Sequence, residues 1–124
     1  MTTVLRSGVE TMVNTIAYGT QFSQSITTLT DGGYVIAWET YDTATASWEI
    51  SSQRYHADGN KIGGETHVNT YTMGTQQYPK VAALAGGGYV ITWGSDGQDG
   101  DSHGVFAQRY DAMGNPAGEE FRVN

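Results

Sequence analysis

The chain repeats its own sequence at a constant offset of 55 residues, without an insertion or a deletion. Residues 32–38 read GGYVIAW, and residues 87–93 read GGYVITW. Between the aligned ranges 15–69 and 70–124, 22 of 55 positions are identical. A repeat of this kind rarely buries its own hydrophobic face, so it packs on copies of itself. The repeat therefore favours an architecture of stacked, similar units.

The same offset divides the chain into a tail and two full repeats. Residues 1–14 match the end of a repeat, so we interpret them as the outer-strand tail of a third one. Residues 15–69 are the first repeat and residues 70–124 the second. We expect these parts to form a single domain, 1–124, because neither repeat is large enough to hold a core of its own.

Composition excludes several classes of protein. Seventeen glycines and eight tyrosines with two prolines are typical of a β protein with many tight turns. The net charge of -7 argues against nucleic acid and anionic membrane surfaces, which select basic patches. No apolar run has the length of a membrane span, and the N-terminus lacks the apolar core of a secretory signal. No cysteine is present, so the redox compartment is undetermined.

Each repeat contains four runs typical of β-strands, separated by glycine-containing turns. The runs span 25–30, 34–38, 50–55 and 66–69 in the first repeat, and 80–85, 89–93, 105–110 and 121–124 in the second. The second run is apolar on both alternating faces, as in a strand covered on both sides. The fourth alternates apolar and polar residues, as in an edge strand with one face in water.

This order of strands predicts an all-β protein. An inner strand covered on both sides and an amphipathic outer strand describe a β-propeller blade of about 40–50 residues. We therefore expect two four-stranded, blade-like repeats. A β-sandwich or a prism built from two pseudo-symmetric repeats is the alternative.

The second repeat also resembles a known type of repeat. The motifs are 87–93 (GGYVITW), 95–100 (SDGQDG), 105–111 (VFAQRYD) and 114–116 (GNP). They resemble the tandem repeats of large secreted bacterial proteins of the calcium-binding hemolysin-type and adhesin group. The resemblance covers nearly all of 15–124, but the first repeat departs from it at 39–49. It implies a repeat type and an extracellular or cell-surface location, but it does not point to any particular activity.

An acidic stretch in the second repeat is a candidate calcium site. Asp96, Asp99 and Asp101 lie among glycines, and calcium prefers several oxygen ligands on such a loop. An EF-hand-like spacing that begins at Asp99 places Tyr110 at position twelve, where a carboxylate should complete the metal site. A solvated hairpin loop without metal is therefore the alternative.

Aromatic residues outside the predicted strands are the best candidates for ligand contact. Sugar rings stack their C–H faces on aromatic rings, while carboxylate and amide side chains bind the hydroxyls. The candidate ligand-binding residues are Tyr41, Asp42, Trp48, Glu49, Tyr71, Gln76, Gln77 and Tyr78. The alternative is that these rings cover loops or fill a seam between chains.

Arg54 and Arg109 occupy equivalent positions in QRY motifs. A role in gripping an anionic ligand is possible for a guanidinium, but the repetition favours a structural one. We expect each arginine to pair with an acidic residue of the neighbouring repeat, with Glu65 and Glu119 as candidate acceptors.

Sequence features of enzymes are weak in this chain. The three histidines, His56, His67 and His103, lie at non-equivalent positions and have no metal-ligand spacing. We expect a non-catalytic binding module, most plausibly for carbohydrate. A structural or calcium-stabilised repeat of a surface adhesin, without a small ligand, is the alternative. Exposed strand edges predict a homo-oligomer, first a trimer and then a dimer.

Overall fold

The protein is built from eight β-strands. The computed structural model describes residues 21–44, 46–70, 74–96 and 104–123. In chain order the strands are β1 (Gln21–Thr28), β2 (Tyr34–Asp42), β3 (Ser47–Tyr55), β4 (Lys61–His67), β5 (Gln76–Ala83), β6 (Tyr89–Ser95), β7 (Gly104–Tyr110) and β8 (Phe121–Arg122). The described residues form no helix, and so none that is long and apolar enough to cross a membrane.

The strands form two antiparallel sheets of the same topology. Sheet 1 has the order β1-β2-β3-β4, and sheet 2 has the order β5-β6-β7-β8. Within each sheet, every strand pairs with its neighbour in sequence, so each sheet is a simple meander. The predicted all-β class with two four-stranded units is confirmed.

Glycine is required where the first strand of each sheet turns into the second. Gly32 has a φ of +87°, which is in the left-handed region. A Cβ on Gly33 would lie 2.5 Å from the carbonyl oxygen of Tyr55, and one on Gly88 would lie 2.2 Å from that of Tyr110. The turn therefore packs directly on the end of the third strand, where no side chain fits.

The two sheets also share their irregularities. The β1–β2 and β5–β6 ladders each contain one β-bulge at equivalent positions. At these bulges Ser23 has a φ of +56° and Tyr78 a φ of +59°. Serine and tyrosine thus adopt the same strained backbone, which means that the repeated fold extends to positions where the two sequences differ.

Several strands differ from their predicted bounds. β1, β4 and β5 begin at Gln21, Lys61 and Gln76, where we expected 25, 66 and 80, and the β2–β3 hairpin is longer than the sequence indicates. We expected strands at 34–38 and 50–55, but pairing continues outward through Tyr41↔Trp48 to Asp42↔Ser47. Tyr41 and Trp48 are therefore strand residues, and their prediction as loop residues was wrong. The reason is cross-strand contact between two aromatic rings, which adds to sheet stability beyond the apolar runs.

Strand alternation gives each sheet two different faces, which we call face A and face B. Face A of sheet 1 consists of Leu29, Val35, Ala37, Ile50 and Val68, none more than 7% exposed. Face B of sheet 2 consists of Val81, Tyr89, Ile91, Trp93, Phe106 and Tyr110, none more than 9% exposed. These residues form one apolar cluster, so the core lies between face A of sheet 1 and face B of sheet 2. The sheets stack head to tail.

The strand β5 makes the closest approach between the sheets, because it contacts β1, β2 and β3. The Tyr78 amide donates to Oε2 of Glu39 at 3.0 Å, and the Val81 amide donates to Oγ of Ser25 at 3.2 Å. These amides lie on the outer edge of sheet 2, so two side chains of sheet 1 satisfy an otherwise open strand edge.

Arg54 joins the sheets at the opposite end of the strands. Its guanidinium donates to the carbonyl oxygens of Met113 at 2.7 Å and Ala112 at 3.2 Å. The expected contact to the neighbouring repeat is present, but the acceptors are backbone carbonyls rather than Glu65 or Glu119. A planar guanidinium with several donors suits two successive carbonyls as well as a carboxylate.

Candidate functional site

A cavity of about 240 Å³ lies where β2, β3 and β4 meet, and we call it the sheet 1 pocket. It is lined by Thr40, Tyr41, Asp42, Thr43, Glu49, Ser51 and His67. Three of the predicted ligand-binding residues, Tyr41, Asp42 and Glu49, are thus brought together. The other lining residues add hydroxyl groups and one imidazole.

Strand register explains how distant residues meet in this pocket. Thr40 pairs with Glu49 across β2 and β3, and Ser51 pairs with His67 across β3 and β4. Directly opposed residues of an antiparallel sheet point to the same side. These four side chains therefore lie on face B of sheet 1, the face that does not contact sheet 2.

Glu49 is a buried carboxylate with several hydrogen-bond donors. The residue is only 2% exposed. Ser47 Oγ and Asn69 Nδ2 each donate to the carboxylate at 2.5 Å, and His67 Nε2 lies 3.4 Å away. Asn69 is itself held because its Oδ1 accepts the Ile50 amide at 2.8 Å. A charged group can be buried only with such partners, so the carboxylate is fixed in position.

His67 carries the titratable group at the edge of the pocket. Its hydrogen bond to Glu49 raises the pKa of the imidazole above its usual value of 6.5, although partial burial opposes this. The side chain is 48% exposed, so one side of the ring reaches solvent. The pocket thus combines a fixed carboxylate with an imidazole that holds its proton more tightly than a free histidine.

The aromatic pair of Tyr41 and Trp48 stands beside this polar group. The ring centroids are 5.4 Å apart and the planes meet at 68°, which is an edge-to-face contact. Tyr41 is 38% exposed and Trp48 is half-buried. The two residues are directly opposed between Thr40↔Glu49 and Asp42↔Ser47, so their rings lie on face A, and Tyr41 borders the pocket from the β2 strand. Trp48 therefore supports the tyrosine rather than lining the cavity itself.

The repeat loses its symmetry at the residues that form the pocket. Ser51 and Glu49 correspond to Phe106 and Gly104 in the second repeat, and His67 corresponds to Arg122. Phe106 pairs with Trp93 and is 6% exposed in the core, while Ser51 pairs with Trp38 at the equivalent place. A serine in place of a phenylalanine leaves the space into which the pocket opens.

Three further candidates lie on β5, away from the pocket, so the prediction of Tyr78 as a loop residue was wrong. Gln76 is fully buried, Gln77 is half-buried and Tyr78 is 66% exposed. None of them lines the sheet 1 pocket. Tyr71, the remaining candidate, lies outside the described residues.

The predicted calcium site falls mostly outside the described residues. Asp96 is exposed, and its amide donates to the carbonyl oxygen of Thr75 at 2.9 Å. Asp99 and Asp101 lie in 97–103, which the structure does not describe. Within the described ranges, no group of three acidic or histidine side chains is arranged to hold a metal ion. Calcium binding at 96–101 stays a prediction.

A larger cavity of about 450 Å³ lies between β4 and the segment before β8. Its lining includes Thr70 and Glu120. The Glu120 carboxylate accepts the Thr70 amide at 2.8 Å and the Thr70 hydroxyl at 2.9 Å. None of the predicted ligand-binding residues that the structure describes lines this larger cavity, so the sheet 1 pocket is the better candidate site.

Four pocket residues, Thr40, Thr43, Ser51 and His67, were not predicted, and of these Ser51 and His67 come from β3 and β4. In the sequence they look like an ordinary small residue and an ordinary polar residue on strands. The signal that could have found them is their replacement by Phe106 and Arg122 in the other repeat. The departure at 39–49 gave the same kind of signal for Tyr41, Asp42 and Glu49.

Comparison with known proteins adds no assignment to this geometry. No family model, no curated protein and no solved structure matches the chain.

Proposed function

We propose that the chain is a non-catalytic carbohydrate-binding module and that the sheet 1 pocket holds one sugar unit. The observation that carries the proposal is the loss of repeat symmetry at the pocket. Stacking explains a smaller residue at Ser51, because face B of sheet 1 packs on no other sheet among the described residues, but stacking does not require the buried carboxylate of Glu49. Both changes enlarge a cavity and furnish it with polar groups.

The chemistry of the lining suits a ligand with several hydroxyl groups. Carboxylates of Asp42 and Glu49 accept hydrogen bonds, and His67 donates one when it is protonated. A cavity of about 240 Å³ is small for a ligand site, which favours a single ring over an extended chain.

We propose further that each sheet is a blade-like repeat of the β-propeller type. The support is the head-to-tail packing of the sheets and the identical meander in each, together with the resemblance to repeats of secreted bacterial proteins. The same resemblance is the basis for proposing an extracellular or cell-surface location. Weak single sites become effective when several copies bind together, so self-association that leaves the sheet 1 pocket open would serve this function.

A structural adhesin repeat without a ligand is the second candidate function. It is favoured by the contact of Arg54 with two carbonyl groups of the other sheet, which serves only to hold repeats together. A calcium ion at 96–101 would add to the stability of such a repeat.

A glycan array of the purified protein tests the proposal, run once with calcium and once with a chelator. We expect binding to one sugar class under both conditions, because the sheet 1 pocket contains none of Asp96, Asp99 and Asp101. Loss of binding in chelator alone would assign the site to the acidic stretch instead. Absence of binding in both would favour the structural repeat.

Two charge-matched variants then locate the site. Asp42→Asn removes a carboxylate from the pocket, and we expect affinity for the array hit to fall about tenfold or more. Glu119→Gln removes an exposed carboxylate outside the pocket and is expected to bind like the wild type. Equal binding by all three proteins would contradict the assignment of the pocket.

A further inference from the structure

We propose that face A of sheet 2 binds strand β1 of a second copy of the chain, as face A of sheet 1 binds β5. The proposed contact is the internal contact between the repeats, carried one step further. It rests on packing and on the repeat, and not on carbohydrate binding. The contact covers face B of sheet 1, which holds the sheet 1 pocket, so association and occupation of that pocket should compete.

Face A of sheet 2 is the open end of the stack. Its residues, equivalent to those of the buried face A of sheet 1, are Leu84, Val90, Thr92, Val105 and Val123. Val105 is 39% exposed, whereas its equivalent Ile50 is fully buried. Val123 is 55% exposed, whereas its equivalent Val68 is 3% exposed. The same apolar surface is thus covered once within the chain and left open once.

Strand β1 has the shape and the exposed residue that the partner surface needs. It is the equivalent of β5, which makes the closest approach between the sheets, and it carries the same bulge. Ile26 on β1 is 62% exposed, while its equivalent Val81 is 9% exposed in the core. In the proposed contact Ile26 takes the place of Val81. This burial would remove an isoleucine and two valines from water.

Arg109 provides an independent argument. It is exposed, and its guanidinium has no hydrogen-bond partner among the described residues, whereas Arg54 bonds to the turn at 112–113. The equivalent turn in the first repeat is at 57–58, and it has the same alanine, Ala57, at the position of Ala112. In the proposed contact Arg109 donates to the carbonyl oxygens at 57 and 58 of the second copy.

The space for this arginine is present at the second turn. A Cβ built on Gly114 would lie 2.6 Å from Cδ of Arg54, since that side chain crosses the turn. A Cβ built on the equivalent Gly59 finds only the Tyr34 hydroxyl, 3.8 Å away. The turn at Gly59 thus has free space at the position that Arg54 occupies beside Gly114.

Two internal hydrogen bonds have no counterpart in the proposed contact. The side chains of Glu39 and Ser25 accept hydrogen bonds from backbone amides of β5. The equivalent residues in the second repeat, Gly94 and Lys80, have no side-chain acceptor. The association should therefore be weaker than the internal packing and reversible. Each chain carries seven net negative charges, so added salt should strengthen the contact by screening repulsion.

Sedimentation velocity over a range of protein concentrations and at two salt concentrations measures this association. We expect the wild type to associate, and Val105→Glu and Ile26→Glu each to weaken association about tenfold or more. Met113→Asp is the control, because Met113 is 74% exposed in a turn and Asp58 occupies the equivalent position. It should associate like the wild type. A wild type that stays monomeric at every concentration would overturn the proposal.

A mixing experiment tests the head-to-tail geometry. The Val105→Glu chain keeps an intact β1, and the Ile26→Glu chain keeps an intact face A of sheet 2. Their equimolar mixture should form a one-to-one dimer and nothing larger, at protein concentrations where each variant alone is largely monomeric. A mixture that stays monomeric would overturn the proposal, and so would normal association of either variant by itself.

Arg109→Ala provides a second, milder test of the same surface. We expect association to weaken about fivefold or more, with the melting temperature of the monomer unchanged. Association equal to that of the wild type would contradict the role of Arg109, and the hydrophobic variants would then decide between a modified contact and none.

Discussion

At the scale of single residues, the central feature is the contact between Glu49 and His67 in the sheet 1 pocket. The carboxylate is buried and fixed by Ser47 and Asn69, while the imidazole lies half in solvent. The histidine therefore gains a partner on folding that it lacks in the unfolded chain. This gain links stability to pH.

The pH dependence of this contact has a definite sign. The pKa of His67 is raised in the folded state, so its contribution to stability is fully present below the unfolded value of 6.5. That contribution is lost as pH rises through the folded pKa. We expect His67→Gln to lower the free energy of unfolding more at about pH 5.5 than at about pH 8.5. The difference should be less than about 1 kcal/mol, because a half-exposed pair is screened by solvent.

Urea unfolding of the wild type and variant at both pH values checks this expectation. His56→Gln is the matched control, because His56 is an exposed histidine in a turn of the same sheet. A His67→Gln effect that does not change with pH would show that the contact with Glu49 has no energetic weight.

At the scale of strands and turns, repetition made most of the fold predictable. Alternating apolar residues and paired glycines located all four strands of each sheet, because both signals occur twice at one offset. The starts of β1, β4 and β5 were missed. The outer ends of the β2–β3 hairpin were missed as well, since the Tyr41–Trp48 pair extends the hairpin and polar neighbours conceal it. Pairing between strands, rather than local preference, sets such ends.

The candidate site was predictable only in part for the same reason. Tyr41, Asp42 and Glu49 stand out because the first repeat departs from the second at 39–49. Ser51 and His67 join them through the β3–β4 register, which no local pattern reveals. A site built across three strands is visible in the sequence only where it breaks the repeat.

Turn geometry makes a prediction about two neighbouring glycines. Gly88→Ala would place Cβ 2.2 Å from the Tyr110 carbonyl oxygen, so we expect a loss of stability of about 2 kcal/mol or more. Gly86→Ala is the control, since its Cβ would meet nothing within 4 Å, and it should be neutral or slightly stabilising. Chemical unfolding of both variants measures the difference, and equal stabilities would contradict the described turn.

The contact between the sheets makes a prediction about the two equivalent arginines. Arg54→Ala removes two hydrogen bonds between the sheets, so we expect the free energy of unfolding to fall by about 1–2 kcal/mol. Arg109→Ala should leave the stability of the monomer unchanged, because the guanidinium contacts no acceptor among the described residues. Thermal and urea unfolding of dilute protein compare the two. Equal losses would mean that the repeats are not packed as described.

At the scale of the whole molecule, two similar sheets stack head to tail, and the difference between them to which we assign the function is the sheet 1 pocket. The stack buries face A of sheet 1 and face B of sheet 2. Face A of sheet 2 and face B of sheet 1 are more exposed. The sheet 1 pocket lies on face B of sheet 1. Departure from the repeat, rather than the repeat itself, is therefore where we assign the function.

The second repeat supplies the variant that tests this assignment most directly. Ser51→Phe restores the phenylalanine that occupies the equivalent position as Phe106, beside Trp38 in place of Trp93. The side chain should fill the pocket without disturbing the strands, because the same pair is accommodated in sheet 2. Its association state is measured alongside, since Ser51 lies on face B.

The decisive measurement is a calorimetric titration of the array-identified sugar into the wild type and Ser51→Phe. The account predicts saturable binding at one site per chain for the wild type and none for the variant, with both proteins folded by circular dichroism. Binding by Ser51→Phe with unchanged affinity would contradict the account, because the sugar would then occupy a different surface.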